Sequence, residues 1–193
     1  MSWDIFKNMM KSYMDNPNGV KSKEAFAKQF TTAYDMAMKT GSVTTRGFGG
    51  APLPVATGNT EVMEKLMIAA CAIAFTKSET GKHTWLKDIG QAIIGYWGGA
   101  TLVQVPPQIP VMGSFQNISL TSGVVSNPGK WPTTRPEQPI DDAGKFLDLF
   151  IIYAQTHLSS IQFSASTVSL YFGFPLIPPL PGFIQLTGYA LPS

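Results

Sequence analysis

Hydrophobic residues recur at helical spacing along the first half of the chain and lose that spacing in the second. Between Ser2 and Met14, the positions Trp3, Phe6, Met9/Met10 and Tyr13/Met14 fall three and four residues apart. Lys7 and Lys11 lie on the opposite face, which predicts a short amphipathic helix. Asn16-Pro17-Asn18-Gly19 ends it. Ser22 is suited to cap a second helix, with Glu24 in a first turn whose dipole favours an anion. Along that helix Phe26, Phe30, Tyr34 and Met38 step by four on one face, and Gly41 follows Lys39-Thr40 as a stop. Ser42 to Gly58 shows neither period and reads as a linker. Asn59 or Thr60 caps a third helix running to Lys77. It is apolar all round from Met67 to Phe75, the pattern of a central buried helix. A fourth helix is predicted to start after Thr84 and to carry Trp85, Leu86, Ile89, Ile93, Tyr96 and Trp97. Gly95, Gly98 and Gly99 weaken its second half, so that it either accommodates a close neighbour or ends early.

From Pro106 to Pro139 seven prolines interrupt the chain. Phe115–Val125 is predicted to form a short hairpin or ribbon, and Asn127-Pro128-Gly129 a turn. Asp141 caps a fifth helix over 142–158, with Phe146, Leu149, Phe150, Tyr153 and Ala154 on its apolar face and Asp148 on its polar side. Thr167–Phe172 has strand character. After it, prolines at 175, 178, 179, 181 and 192 forbid a continuous helix. The expected fold class is mainly α, a body of about five helices with long irregular Pro/Gly-rich extended arms and a short β-hairpin. The expected division is 1–105 helical body, 106–140 Pro-rich irregular arm, 141–160 helix packing on the body, and 161–193 uncharged extended C-terminal arm.

Charge changes this picture. Only 13% of the 193 residues are Asp, Glu, Lys or Arg, against about a quarter in an ordinary soluble domain. None occurs between Leu149 and Ser193, and none between Ile89 and Gly129. Such stretches belong inside a protein core, a bilayer or a partner. The nearest approach to a spanning helix is Ile89–Val105, which contains Gln91, Gln104 and four glycines and is stopped by Pro106-Pro107. A span needs about 20 mostly apolar residues, so a membrane protein is not expected. Gly95 and Gly99 form a GxxxG spacing, read here as tight packing in a core. The net charge of +2 carries no basic patch of the kind that marks a specific nucleic-acid interface. The opening Met1-Ser2-Trp3-Asp4 lacks the features of a secretory signal, and synthesis and assembly in a cytoplasm are expected.

Candidate chemistry is sparse. Cys71, the single cysteine, lies in an apolar run and reads as a buried small hydrophobe. One Cys and two His do not make a structural zinc site, and no metal or cofactor is expected. His83 follows Gly81-Lys82 in a predicted turn, with no nucleophile placed beside it. His157 falls near the end of the fifth helix, where a cation interacts favourably with the dipole. Asp141-Asp142 read as capping residues. Arg46-Gly47-Phe48-Gly49-Gly50 lacks the Gly-Lys-Ser/Thr of a phosphate loop. Pro175 to Pro181 has the prolines of a polyproline II ligand, but its Phe, Leu and Ile neighbours suit an extended arm buried against another subunit or its own helices. No catalytic residue is assigned.

The block WLKDIGQAIIGYWGGATLVQVPPQIP at 85–110, the turn VVSNPGKWP at 124–132 and the uncharged tail give the chain a recognisable character. It resembles structural proteins of tailed-bacteriophage virions, of the neck, tail or baseplate type. That resemblance implies many-copy symmetric assembly, with other virion proteins and copies of itself as partners, a place in the virion, and no cofactor. The expected interface anchors are Trp97, Trp131, Phe172, Phe174, Pro178, Pro179 and Phe183, because large aromatic residues dominate interface energetics. Each has an internal core position as its alternative, which suits Trp97 best. Other functions stay open: a membrane-associated helical protein using Ile89–Val105 and the tail, an enzyme with an unfamiliar site at His83 or His157, and an intracellular adaptor binding through the proline tail.

Overall fold

Five helices and six strands follow one another along the chain: α1 (Trp3–Asp15), α2 (Lys23–Lys39), β1 (Ser42–Thr45), β2 (Pro52–Thr57), α3 (Thr60–Ala74), α4 (Glu79–Trp97), β3 (Thr101–Val103), β4 (Gln116–Asn127), α5 (Ala143–Leu158), β5 (Gln162–Phe172) and β6 (Gly182–Pro192). The computed structural model describes residues 3–19, 21–40, 42–45, 52–74, 79–103, 116–133, 143–172 and 182–192. Within 42–54, 73–86, 103–122 and 165–192 it describes backbone elements and their pairing.

α2 and α3 start where the caps predict. Ser22 has extended backbone and its side chain accepts from the Ala25 amide at 3.1 Å. The Asn59 side chain accepts from the Val62 amide at 3.2 Å. These bonds satisfy amides that the first helical turn leaves without partners. α4 starts at Glu79, earlier than expected, and runs on through Gly90 and Gly95 to Trp97. Its glycines therefore accommodate neighbours. A Cβ on Gly95 would come within 2.9 Å of Val62 and Leu66 of α3. Gly99, the other half of the GxxxG spacing, ends the helix with φ +80°, and no atom lies within 4 Å of where its Cβ would be. The spacing is thus one packing glycine and one C-terminal turn glycine.

α3 departs from the expectation of burial on all sides. Met63, Met67, Ala70 and Cys71 are buried, but Val62, Leu66, Ala69 and Ala72 are exposed. The helix packs between α2 and α4, and two neighbours cover only part of its circumference.

The strands pair antiparallel in chain order, and β1 also pairs with β6, which closes the sheet into a barrel. β3 contributes only Thr101–Val103, paired with 122–124 of β4. β5 is paired along its length with β4 and over Gln162–Ser169 with β6. The expected hairpin at 115–125 is, from Gln116 on, part of one long strand paired with β5, from Gln116 with Phe172 to Asn127 with Gln162. The expected C-terminal arm supplies two strands, β5 and β6, instead of irregular extended chain. The physical reason is that an uncharged, β-branched segment buries its backbone polar groups most completely by pairing them. The remaining parts of the two expected arms, 104–115, 134–142 and 173–181, lie outside the described residues.

One core joins helices and sheet. Phe6 and Met10 of α1, Phe30 and Tyr34 of α2, Met63 and Met67 of α3, Ile93 of α4 and Phe150 of α5 are fully buried, in one cluster with Leu102, Val125 and Phe163 of the strands. At its centre Phe6, Phe30 and Phe150 lie with ring centroids 5.0 Å apart pairwise. Such pairs contribute about 0.5–1.5 kcal/mol each beyond the area they bury. At the rim Lys7 and Asp148 pair at 2.6 Å between α1 and α5. Both are substantially exposed, so this pair aligns the helices and adds little stability.

Trp131, beyond the end of β4, wedges between α4 and α5. A Cβ on Gly90 would lie 2.3 Å from the indole ring, and the ring is 5.9 Å from that of Phe150. Replacing Gly90 with Ala is expected to lower the unfolding free energy by about 1–3 kcal/mol through overpacking. Gly98→Ala, whose Cβ would meet its nearest atom at 3.4 Å, should change it by less than about 0.5 kcal/mol. Urea denaturation of the two variants measures both. An undiminished Gly90→Ala protein would contradict the seating of Trp131 on α4.

Candidate functional site

Trp97 closes the C-terminal end of α4 and is 1% exposed. Its indole N–H donates to the Tyr34 hydroxyl at 2.9 Å. The adjacent Tyr96 hydroxyl donates to Asp35 Oδ1 at 2.9 Å, and Lys39 holds the other carboxylate oxygen at 2.8 Å. Burial raises the pKa of both tyrosine hydroxyls, that of Tyr96 further through the Asp35 charge. Neither phenol is thus available as a base near neutral pH. This chain of polar contacts ties α2 to the end of α4 inside the core. Of the two readings open for Trp97, the chain itself provides the core position: its ring lies against Tyr34 and Tyr96.

A second polar cluster forms where β4 meets the junction of α5 and β5. His157, on the last turn of α5, is fully buried and its Nε2 lies 2.7 Å from the Pro128 carbonyl. With Nε2–H donating to that carbonyl, Nδ1 is left as an acceptor, and it is buried without a partner. The indole nitrogen of Trp131 is likewise buried and unpartnered, with ring centroids 5.7 Å apart between Trp131 and His157. Gly129 takes φ +81° in the turn that Asn127-Pro128-Gly129 predicts. Asn127 Oδ1 accepts the Gly129 amide at 3.0 Å, and Ser160 Oγ accepts the Lys130 amide at 2.8 Å. A Cβ on Gly129 would sit 2.6 Å from Ser160 Oγ, so the close approach and the left-handed backbone both demand glycine there.

The chemistry of this corner is structural. Burial lowers the His157 pKa from 6.5 to about 4, against a smaller opposing effect of the Pro128 hydrogen bond. The imidazole is neutral at physiological pH and shielded from solvent, so the expected helix-end cation is replaced by a neutral buried ring. Trp131 is 7% exposed and packs on Phe150, Tyr153 and His157. Like Trp97, it occupies the core position that was its alternative to an interface anchor. Cys71 is buried, and burial pushes its thiol up to about 11, away from the thiolate that nucleophilic chemistry needs.

An open groove of about 420 Å³ runs between α1 and α2, lined by Asn8, Met9, Ser12, Tyr13, Asn16 and Gln29. Beside it Lys21 binds the Tyr13 and Met14 carbonyls and lies 4.6 Å from the centre of the Tyr13 ring. The groove lining holds three neutral amides, the hydroxyl residues Ser12 and Tyr13, and Met9, with no carboxylate or imidazole. Among the described residues no group of three or more His, Cys, Asp or Glu side chains is placed to hold a metal ion.

Of the other expected site residues, Phe172 ends β5 and Phe183 lies near the start of β6, paired with Val168. Phe174, Pro178 and Pro179 lie outside the described residues, as do Asp141, Asp142 and the Arg46–Gly50 loop. His83 lies within α4, not in a turn. Sequence reasoning did not connect Tyr34 to Trp97 or Ser160 to Lys130. The Asn-Pro-Gly turn marked one side of the buried corner, but nothing local marks the residues that close over it. Compared with known protein families, curated proteins and solved structures, the chain gives no significant match to any of them.

The buried neutral imidazole couples stability to pH. Its folded pKa lies below the ordinary 6.5, so the unfolded chain binds a proton first. The associated stability is complete above pH 6.5, declines as pH falls toward 4 and is lost below that, to a limit of about 3 kcal/mol. In urea titrations at pH 7, 5.5 and 4, a His157→Gln variant should lack this component, so its deficit relative to the parent shrinks as pH falls. A deficit constant over that window would contradict the neutral buried state.

Proposed function

We propose that this chain is a structural subunit of a large multi-protein assembly, of the kind that builds tailed-phage necks, tails or baseplates. The observation that carries this reading is the absence of any charged side chain after Asp148, in a stretch that supplies β5 and β6. A surface without charge lacks the usual protection of a soluble sheet against association, and suits burial against neighbours. On this reading the helices and the aromatic core form the rigid body, and the uncharged sheet meets other virion proteins and further copies of the chain. The place of action is the virion, assembled in a host cytoplasm.

The membrane and enzyme readings have less behind them. Of Ile89–Val105, which with the C-terminal tail was to serve a membrane role, the described residues 89–103 are divided between the end of α4, a turn and β3. No helix among the described residues is long and apolar enough to cross a membrane. Of the two histidines offered for an enzyme site, His157 is buried and His83 lies within α4.

Removing residues after Ser166 would delete β6 and half of β5, so such a truncation tests folding and not assembly. The native mass after gentle lysis of cells producing the chain in its natural context is the cleaner test. Size exclusion with light scattering should place it in a particle of megadalton mass together with other proteins. Recovery only as a chain near 20.9 kDa would overturn the assembly reading.

A further inference from the structure

At the corner where α5 passes into β5, two neighbouring side chains each keep one nitrogen without a hydrogen-bond partner. Trp131 is 7% exposed and His157 is fully buried. Their ring centroids lie 5.7 Å apart, with the planes tilted by 51°. Trp131 Nε1 and His157 Nδ1 are both enclosed by protein and unpartnered. A buried polar group left in that state costs stability, and nearly all such groups in folded proteins bond to protein or to ordered water.

The two nitrogens are complementary. An indole nitrogen only donates. His157 Nε2 lies 2.7 Å from the Pro128 carbonyl, which only accepts, so Nε2 carries the proton. In the neutral ring Nδ1 is then an acceptor. The contact thus contains one donor and one acceptor that do not bond to each other. The described hydroxyls on the last turn of α5 are engaged elsewhere. Thr156 Oγ1 donates to the Ile152 carbonyl at 2.9 Å, Ser159 Oγ to that of Thr156 at 2.7 Å, and Ser160 Oγ to that of His157 at 2.7 Å. Ser160 Oγ also accepts the Lys130 amide at 2.8 Å. On the indole side α4 presents Gly90, where a Cβ would lie 2.7 Å from Nε1, so that residue has no side chain with which to accept.

We propose that one internal water molecule binds at this corner, accepting the Trp131 Nε1–H and donating to His157 Nδ1. Water is the occupant because the contact requires a small molecule that accepts and donates at once. A cation would meet the indole N–H and an anion the Nδ1 lone pair. Neither would find a buried countercharge, since no Asp, Glu, Lys or Arg among the described residues is buried. Two polar partners are enough to hold a buried water, and such a bridge is nearly as favourable in enthalpy as a direct hydrogen bond. The bridge extends the hydrogen-bonded chain from the Pro128 carbonyl through the imidazole to the indole. The turn after β4 is then bonded to α5 twice, at Pro128 and at Trp131. The water becomes part of the joint between sheet and helices, whatever the chain assembles with.

Nitrogen-15 NMR of the purified full chain tests this. At neutral pH the long-range imidazole correlation should show His157 protonated at Nε2 and bare at Nδ1. The Trp131 indole proton should give a rotating-frame Overhauser cross-peak to the water line, with the sign of proximity and not of proton exchange. No nitrogen–nitrogen coupling should connect Nε1 to Nδ1. Tyr153→Phe and Ser160→Ala remove hydroxyls near the two rings whose own exchange with solvent could imitate that peak, and both variants should keep it. A coupling between the two nitrogens would mean a direct bond and overturn the proposal. So would a proton on Nδ1, a cross-peak to a side-chain hydroxyl in place of water, no water cross-peak in the parent, or its loss in either folded variant. If a variant fails to fold, oxygen-17 relaxation dispersion of the parent takes its place. Excess relaxation at low field reports a water held inside the fold, and no excess overturns the proposal.

Discussion

The two uncharged stretches of this chain, 89–129 and 149–193, have to satisfy their backbone polar groups somewhere, and β5 is where they meet to do so. This strand is hydrogen-bonded to β4 along its whole length and to β6 over its first eight residues. It brings strands from both stretches into one sheet, although residues 130–148 separate them in sequence. Chain segments of this composition have little to gain from solvent, and unpaired buried amides and carbonyls are costly. The pairing converts a segment that would be adhesive as a free arm into part of a folded body.

The helical body is fixed to that sheet at one corner. β5 leaves α5 through Ser159–Ile161, and the turn after β4 is held against the same place by His157, Ser160 and the left-handed Gly129. Trp131 then fills the space between α4 and α5, against a glycine that leaves room for its ring. Deeper in, Phe6, Phe30 and Phe150 hold α1, α2 and α5 together, while the Trp97–Tyr34 hydrogen bond secures the end of α4. These aromatic residues of the body thus stabilise the fold itself.

Much of the helical half was legible in the sequence, because its signals are local. The Ser22 cap, the four-residue step of Phe26, Phe30, Tyr34 and Met38, and the Asn-Pro-Gly turn depend on residues close in the chain. The sheet was legible only in fragments. Ser42–Thr45 is four residues long and pairs with the far end of the chain at 190–192; no periodicity can develop over so short a run. β6 follows a cluster of prolines that suggested an irregular tail, yet the strand begins just after Pro181. Ala69 and Ala72 show the opposite failure, since the apolar run from Met67 to Phe75 was read as central and these two are exposed. Trp97 and Trp131 illustrate why anchors are hard to assign from sequence: the same large aromatic side chain serves a core or an interface, and only the packing around it decides.

The central claim is that the uncharged C-terminal stretch is an integral part of the fold through β5. Amide hydrogen exchange of the purified full chain, resolved by residue, tests it most directly. The account predicts that amides over 163–171 exchange as slowly as those in the interiors of α2 and α5, because opening β5 requires opening the shared core. Exchange of those amides at unfolded-chain rates, with the helices still protected, would contradict it and return the C-terminal stretch to the status of a free arm.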